Sequence, residues 1–265
     1  MTTNASPPVE IGPDLAVDAV YVLSVKSYTD RIAHVTRELG RHAIRFELIL
    51  DFDPDEIDLA KIGHYFADAA TPMLRHASLT LKHVEVWRRA VACRHRCILV
   101  FEDDVILHHR FRARMEEISR AADTLAPGWL IFLGGANARV PDSFFLHPGP
   151  LVPLVNATTE GYLTDLEACR RRLAWLDTNK IADPADHLIA RIDQEKGTAQ
   201  YWPLEQLVEQ GSVTGLYQSV LNSIRMKHGR PHNVVRYRWT KWWRRTLRKH
   251  YVRGMRALRL GRDLA

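Results

Sequence analysis

Cysteine is scarce in this sequence. Its 265 residues include only Cys93, Cys97 and Cys169. An odd number this small does not form a disulfide framework, and it favours a reducing compartment. Cys93 and Cys97 lie four residues apart without a second pair of metal ligands, so we interpret them as buried thiols, with a zinc site as the alternative.

Long apolar segments are also missing. No window of the sequence reaches the unbroken apolar length that a membrane span requires, so any membrane contact is expected to be peripheral. Residues 1–17 have neither a basic start nor an apolar core of signal-peptide length, and we interpret them as a leader that stays on the protein. A cytoplasmic protein is therefore predicted.

Acidic residues are nearly absent from the end of the sequence. Residues 225–265 contain 14 lysines and arginines against the single acid Asp263, which gives this tail a formal charge of +13. Residues 1–224 carry −7, so the net charge of +6 conceals an acidic body and a basic tail. The high pI therefore does not argue for nucleic-acid binding by the body. We predict three parts: the leader, a folded domain over residues 18–224, and the tail.

Short apolar segments alternate with helical patterns through the body. Strands are predicted over residues 19–25, 45–50, 97–101 and 129–133, and helices over residues 31–39, 74–92 and 111–125. This alternation favours a single α/β domain with a mainly parallel sheet. Farther along, a turn is predicted at Glu160-Gly161 and a helix is predicted to begin near Pro184.

The segment RCILVFEDDVIL, residues 96–107, is the most informative stretch. Its short, continuous apolar run is typical of a strand buried on both faces. Glu102, Asp103 and Asp104 follow at the carboxyl end, which in an open α/β sheet faces the ligand crevice. Neighbouring carboxylates repel one another, and a divalent cation relieves that repulsion. The alternative is a strand that ends in solvated acids and caps the next helix.

Six short motifs follow one another along the body. They are Asp30-Arg31, Lys82-His83, Glu102-Asp103-Asp104, Glu160-Gly161-Tyr162, Pro184-Ala185-Asp186-His187 and Gln210-Gly211-Ser212. In this order they resemble glycosyltransferase family 25, whose members add hexoses to bacterial lipooligosaccharide and to collagen hydroxylysine. The resemblance covers roughly residues 18–224, and the Glu-Asp-Asp segment is its most specific part.

The resemblance implies a GT-A-type fold with a nucleotide-binding first half. It also implies inverting, metal-dependent transfer of a hexose, galactose or glucose, from a UDP-sugar to a glycan acceptor such as lipooligosaccharide or another lipid-linked glycan. Mn²⁺ or Mg²⁺ held by one or two carboxylates would stabilise the leaving diphosphate. Asp104 is the first candidate ligand and Asp103 the second, while Glu102 is expected to face the other way and support the strand end. His187 is a further candidate for metal or phosphate.

Inversion also requires a base that takes the proton of the acceptor hydroxyl. Asp186 is the candidate by its position in the Pro-Ala-Asp-His segment, with helix capping as the alternative. Glu160 is another carboxylate to test in this role.

Candidate donor-binding residues lie after the first predicted strand and within the helix predicted over residues 74–92. Ser24 and Arg31 follow the first strand, and an ion pair with a neighbouring acid is the alternative for Arg31. Lys82 and His83 precede the metal strand. Here the sequence departs from the family, because His76 and Lys82 stand where the family pattern has an acid and a serine. Lys82 is expected to contact the donor phosphate, and the departure leaves the donor sugar open.

Apolar residues recur every three or four positions in the tail, with lysine and arginine between them. They are Trp239, Trp242, Trp243, Leu247, Tyr251, Val252, Met255 and Leu258. A helix with this pattern suits the plane of an anionic membrane surface, with residues 236–260 as the contact. Packing of its apolar side on the body is one alternative. Nucleic acid, which basic residues interleaved with aromatics also suit, is a partner we do not expect.

Together these patterns predict a glycosyltransferase peripheral on the cytoplasmic face of the membrane. The competing hypothesis is an inactive glycosyltransferase-like module that binds a membrane surface or nucleic acid through its basic tail.

Overall fold

A computed structural model describes residues 15–67, 74–135, 138–155, 158–214 and 230–263. Most of the predicted leader, residues 1–14, and the first residues of the tail, 225–229, lie outside this part. No helix in these described ranges is both long and apolar enough to cross a membrane.

A mixed sheet forms the centre of the body. Its strands are β1 (Ala19–Leu23), β2 (Glu47–Ile49), β3 (Cys97–Glu102), β5 (Trp129–Phe132), β6 (Leu151–Pro153), β7 (Gly161–Asp165) and β8 (Ala199–Pro203). In the described part of the chain they follow the order β2-β1-β3-β7-β5-β8-β6. β7 and β6 run antiparallel to their neighbours, and the other five strands share one direction. The predicted α/β class with a mainly parallel sheet is confirmed.

Helices cover both faces of this sheet. They are α1 (Thr29–Arg41), α2 (Leu59–Ile62), α3 (Leu74–Ala92), α4 (Phe111–Ala122), α5 (Asp142–Leu146), α6 (Leu166–Leu176), α7 (Ala185–Lys196) and α8 (Gly211–Thr214), with a 3₁₀ turn at Gly63–Tyr65. A separate pair, β4 (Val105–Leu107) and β9 (Val208–Gln210), forms a two-stranded antiparallel sheet.

Alternate residues of the central strands enter two different hydrophobic clusters. In β3, Leu99 and Phe101 pack with α1 and α4, whereas Ile98 and Val100 pack with α3, α5, α6 and α7. Because both faces are covered, the strand needs apolar side chains at every position. This explains why its sequence is a continuous apolar run that ends abruptly in acids.

Two local predictions are wrong. Gly161 begins β7 instead of lying in a turn. A Cβ atom there would lie 3.1 Å from side-chain atoms of Phe101 and Val208, so the missing side chain lets the strand pack closely. Of the two cysteines that we expected to be buried thiols, Cys97 is buried and Cys93 is exposed; Cys169 is buried as well.

A fully buried ion pair links α6 to α7. Arg172 donates from Nε and Nη2 to the two carboxylate oxygens of Asp193, at 2.8 and 2.9 Å. Arg172 also donates to the Thr164 hydroxyl at 3.0 Å, and Gln200 donates to Asp193 at 3.0 Å. The guanidinium lies 5.3 Å from the centre of the Trp87 ring. The charges are therefore matched within the core, as a buried pair requires.

The tail is helical throughout its described part. It consists of α9 (Arg230–Lys241), a π-helical segment (Trp242–Leu247) and α10 (Arg248–Asp263). Lys241 and Arg248, which flank the π-helical segment, both have right-handed α backbone angles, so one helix continues through all three pieces. The predicted helical tail is confirmed, and the π-helical segment is a feature that the sequence pattern did not predict.

Candidate functional site

A pocket opens at the carboxyl ends of β1 and β3. It encloses about 640 Å³, part of which is open to solvent. Its polar lining includes six predicted site residues, Ser24, Arg31, Lys82, Glu102, Asp103 and Asp104, and also Tyr28, Arg75, Ser78, Gln210 and Ser212. Strand ends of a mainly parallel sheet thus meet a loop and a helix, which is the usual place for a ligand in an open α/β fold.

Three consecutive acids reach this pocket together. Glu102 is the last residue of β3, and Asp103 and Asp104 form a turn before β4. We expected Glu102 to face away because side chains alternate along a strand. The strand ends at Glu102, so the alternation does not continue into the turn, and all three side chains line the pocket.

Both carboxylate oxygens of Asp103 have partners within the protein. Oδ2 accepts a hydrogen bond from the Ser24 hydroxyl at 2.7 Å, and Oδ1 accepts one from Arg31 at 2.9 Å. The Arg31 guanidinium also lies 5.2 Å from the centre of the Tyr28 ring. Two predicted donor-binding residues are therefore held in place by Asp103, and the ion pair considered for Arg31 is present.

Only one of the two carboxylate oxygens of Asp104 has a hydrogen-bond partner in the described part of the chain. Its Oδ2 accepts a hydrogen bond from the Ser212 amide at 3.0 Å, and its carbonyl oxygen accepts one from the Gly211 amide at 2.6 Å. Its Oδ1 is buried and has no hydrogen-bond partner in the described part of the chain. Burial raises the pKa of Asp104, against the lowering effect of Arg31. A buried carboxylate oxygen without a donor is costly, and a bound cation would stabilise it.

Glu102 supports the strand end, as predicted. Its Oε1 accepts a hydrogen bond from the Thr159 hydroxyl at 2.7 Å, and its Oε2 accepts one from the Gln210 amide at 3.3 Å. Burial, followed by the charges of Asp104 and Glu160, raises the pKa of Glu102. Burial and the neighbouring carboxylates thus disfavour the charged form of Glu102.

The side chains of this pocket suit a divalent ion that is bound partly by the protein and partly by a diphosphate. Among the residues whose positions are described, no group of three or more His, Cys, Asp or Glu side chains is arranged to hold a metal. Mg²⁺ typically binds proteins through one or two carboxylates together with substrate phosphates. Oδ1 of Asp104 and a diphosphate would supply that combination. The pocket therefore fits a metal–diphosphate complex better than a metal held by protein alone.

Lys82 lines the pocket from α3, and His83 does not. Lys82 donates to the carbonyl oxygen of Asp51, and burial lowers the pKa of its ammonium group to about 8. His83 lies in the core, where its Nδ1 is 3.0 Å from the Tyr162 hydroxyl. Successive helical residues point in different directions, so only one of the two can face the pocket.

The candidate bases lie in different places. The carbonyl oxygen of Glu160 accepts a hydrogen bond from the Glu102 amide at 3.1 Å, which places Glu160 next to the three acids. Its Oε1 accepts a hydrogen bond from the Gly135 amide at 2.5 Å. Asp186 and His187 lie in the first turn of α7 and do not line the pocket, and Asp186 accepts from the His187 amide at 2.9 Å. Their catalytic and metal roles stay predictions.

The first part of the chain matches a protein-family model. Residues 17–137 match the family model described as "Glycosyltransferase family 25 (LPS biosynthesis protein)". The match includes β1, α3, β3 and the Glu102-Asp103-Asp104 segment. The resemblance to glycosyltransferase family 25 is thereby confirmed over residues 17–137.

Curated proteins similar to this chain carry two kinds of name. "Probable inactive glycosyltransferase 25 family member 3" of Rattus norvegicus is 22% identical over 218 residues, which is 76% of this chain and 38% of the relative. "Procollagen galactosyltransferase 2" of Mus musculus is 22% identical over 205 residues, which is 71% of this chain and 32% of the relative. The matched region thus spans well under half of either relative.

Solved structures were also compared with this chain. Mouse xyloside xylosyltransferase 1, in its apo form, aligns with a TM-score of 0.37 at 13% identity, covering 69% of this chain and 83% of that one. The family assignment rests on sequence and the fold description on the strand order given above.

Several residues that line the pocket were not predicted as site residues. Gln210 and Ser212 reach the acids because β9 pairs with β4, in a register that sets Val105 opposite Gln210. The Gln210-Gly211-Ser212 motif was the available signal, and it was noted only as part of the resemblance. Tyr28 lies between the predicted donor-binding residues Ser24 and Arg31, whereas nothing in the sequence distinguishes Arg75 from an ordinary helix residue.

The buried His83 predicts a pH dependence of stability. Burial, and then the nearby Arg172, lowers the pKa of the His83 imidazole from 6.5 to about 3. Since the unfolded chain takes up this proton first, the stabilising contribution is complete above the unfolded pKa and is lost as the pH falls. We expect a loss of about 1.4 kcal/mol per pH unit below about pH 6.5.

Urea unfolding of the wild type and of His83→Gln across this pH range would measure the effect. The other histidines are common to both proteins, so the difference between the two slopes isolates His83. Parallel slopes would contradict the prediction.

Proposed function

We propose that this chain is an inverting, metal-dependent glycosyltransferase that moves a hexose, galactose or glucose, from a UDP-sugar to a hydroxyl group of a glycan acceptor. Lipooligosaccharide or another lipid-linked glycan is the proposed acceptor. The observation that carries the proposal is the buried Oδ1 of Asp104, which lacks a partner in the described chain and belongs to a residue lining the pocket.

The pocket has the charges that a sugar diphosphate requires. Arg31, Arg75 and Lys82 line the pocket together with the three acids already described. Arg31 is fixed by Asp103 and Tyr28, so little side-chain freedom is lost when it binds phosphate. Mn²⁺ or Mg²⁺ bound to Asp104 and the diphosphate would stabilise the charge that develops on the leaving group.

Glu160 is the better supported of the two candidate bases. It adjoins the acids through the Glu102 backbone, and the Gly135 amide fixes its carboxylate. A Cβ atom on Gly134 would lie 2.2 Å from Glu160 Oε1, so glycine there makes room for this carboxylate. Asp186 remains the alternative. A fixed carboxylate on a residue next to the pocket-lining Glu102 is suited to accept the proton of an acceptor hydroxyl.

The competing proposal is an inactive family-25 module. Relatives named inactive support this proposal, and relatives named galactosyltransferases support the first one. The unpartnered Oδ1 of Asp104 favours activity, because a module without a metal to bind has no reason to keep a buried carboxylate oxygen unsatisfied.

Thermal unfolding with added nucleotide tests the donor pocket. UDP with Mn²⁺ at about one hundred times its dissociation constant should stabilise the protein by about 2.7 kcal/mol. For a chain of this size we expect the melting temperature to rise by about 5–10 °C. UMP with Mn²⁺ and UDP with EDTA are the matched controls and should give smaller shifts. No shift with UDP, with or without Mn²⁺, would contradict the proposal.

A further inference from the structure

The tail helix exposes its aromatic side chains instead of burying them. Of the nine large hydrophobic side chains that are exposed in the described part of the chain, seven belong to this helix. They are Val235, Trp239, Trp242, Trp243, Tyr251, Met255 and Leu258. Trp239 is 63% exposed, and Tyr251 and Leu258 are each 66% exposed. Packing of the apolar side on the body, one of the alternatives drawn from the sequence, is therefore wrong for these residues.

Cationic side chains hold the helix on the body. Four of them contact acids or backbone carbonyl groups: Lys241 pairs with Glu209, Arg245 donates to the Gly135 carbonyl at 3.0 Å, Arg248 donates to Asp142 at 2.9 Å, and Arg253 donates to the Phe145 carbonyl at 3.1 Å. Tyr237 and Val252 are the apolar residues buried on this side. The contacts fix which side of the helix faces outward.

The π-helical segment aligns the exposed residues into one stripe. In a uniform α-helix, successive residues turn by about 100°, so Trp239 and Leu258 would point about 100° apart, and Trp239 and Tyr251 about 120° apart. A π turn holds one additional residue and shifts everything after it by about one residue. With that shift Leu258 points in nearly the same direction as Trp239, and Tyr251 within about 20° of it. The segment therefore joins two apolar faces that would otherwise diverge.

Positive charge flanks the first part of this stripe. Arg236 and Arg238, which are exposed side chains of the same helix, lie close to Trp239 along the chain. Asp263 is the single acid among residues 225–265. Tryptophan and tyrosine beside arginine and lysine are typical of protein surfaces that lie at the lipid–water boundary of anionic membranes.

We propose that the outward stripe of the tail helix, formed by Trp239, Trp242, Trp243, Tyr251 and Leu258, binds flat on an anionic lipid bilayer. The cations on the inner side hold the body against the helix, and the outer arginines contact lipid headgroups. A second copy of this chain is a poorer occupant, because two tails of charge +13 repel each other. Aliphatic Met255 and Leu258 within the stripe suit acyl chains better than nucleic-acid bases.

Vesicle binding by the full chain tests this proposal. We expect sedimentation with vesicles of phosphatidylcholine containing about 30% phosphatidylglycerol, and at least about tenfold weaker binding to phosphatidylcholine alone. Tryptophan fluorescence adds a local measurement, because Trp87, Trp129, Trp175 and Trp202 are buried in the body. Quenching by brominated lipids should therefore report the three exposed tryptophans of the helix.

Variants test whether vesicle binding depends on the stripe or on any exposed apolar side chain. Trp239→Ser/Trp242→Ser/Trp243→Ser should lose at least about tenfold in vesicle affinity and most of the bromolipid quenching. Val155→Ser removes an equally exposed apolar side chain from the body and should bind vesicles as the wild type does. UDP-dependent stabilisation should persist in both variants, so failure of this proposal is distinguishable from failure of the donor pocket.

Three results would overturn the proposal. The first is full vesicle binding by the triple variant, and the second is equal wild-type binding to neutral and anionic vesicles. The third is wild-type protein that does not bind vesicles and instead either dimerises in solution or binds DNA or RNA through the same tryptophans.

Discussion

Asparagine in place of Asp104 should abolish metal-dependent turnover of a UDP-sugar while leaving the protein folded. Asparagine keeps the oxygen that accepts from the Ser212 amide, so the local structure persists. It removes the negative charge that a divalent cation requires. Because a catalytic metal supplies several kcal/mol of transition-state stabilisation, we expect the rate to fall by about a thousandfold or more.

Asp103→Asn is the matched control for this variant. Both oxygens of Asp103 already accept hydrogen bonds, from Ser24 and Arg31, so its direct part in metal binding should be smaller. Mn²⁺ binding in the presence of UDP, followed by electron paramagnetic resonance, compares the two variants without relying on turnover. Wild-type Mn²⁺ affinity and activity in Asp104→Asn would show that the metal is held elsewhere.

Breaking the buried Arg172–Asp193 pair should give the largest loss of stability. Arg172→Met leaves the Asp193 carboxylate in the core with Gln200 as its remaining side-chain donor. An uncompensated buried charge of this kind typically costs about 3–5 kcal/mol. Urea unfolding monitored by circular dichroism measures the change.

Two further proteins make this measurement specific. Arg191→Met removes two ion pairs, with Asp183 and Glu195, that are 47% exposed at the arginine, and it should cost about 1 kcal/mol or less. The double variant Arg172→Met/Asp193→Leu should recover part of the stability lost by Arg172→Met, because no charge is then left unpaired. Equal small losses in the two single variants would contradict the account of this ion pair.

The sequence was most informative where a segment is buried on one or both sides. The helix predicted over residues 74–92 is α3 with the same bounds, because its apolar residues follow the helical period. Residues 97–101 were predicted as a buried strand and form β3, which extends to Glu102. A continuous apolar run can be read in this way because the sheet is covered on both faces.

Long-range pairings could not be predicted. Ser212 meets Asp104, which lies 108 positions earlier, because β4 pairs with β9, and neither three-residue strand has a recognisable pattern of its own. The antiparallel β7 between β3 and β5 depends equally on tertiary packing. The outward direction of the tail tryptophans depends on a π-helical segment, and the apolar spacing alone does not indicate one.

Donor turnover by the full chain is the most direct test of whether this protein is a metal-dependent glycosyltransferase. Purified protein would be incubated with UDP-galactose or UDP-glucose, and release of UDP would be measured with Mn²⁺ and again after EDTA. We expect release of UDP from at least one donor, loss of this release on chelation, and its recovery when Mn²⁺ is restored. Asp104→Asn should release no UDP. Mn²⁺-independent release, or none from either donor, would contradict this expectation.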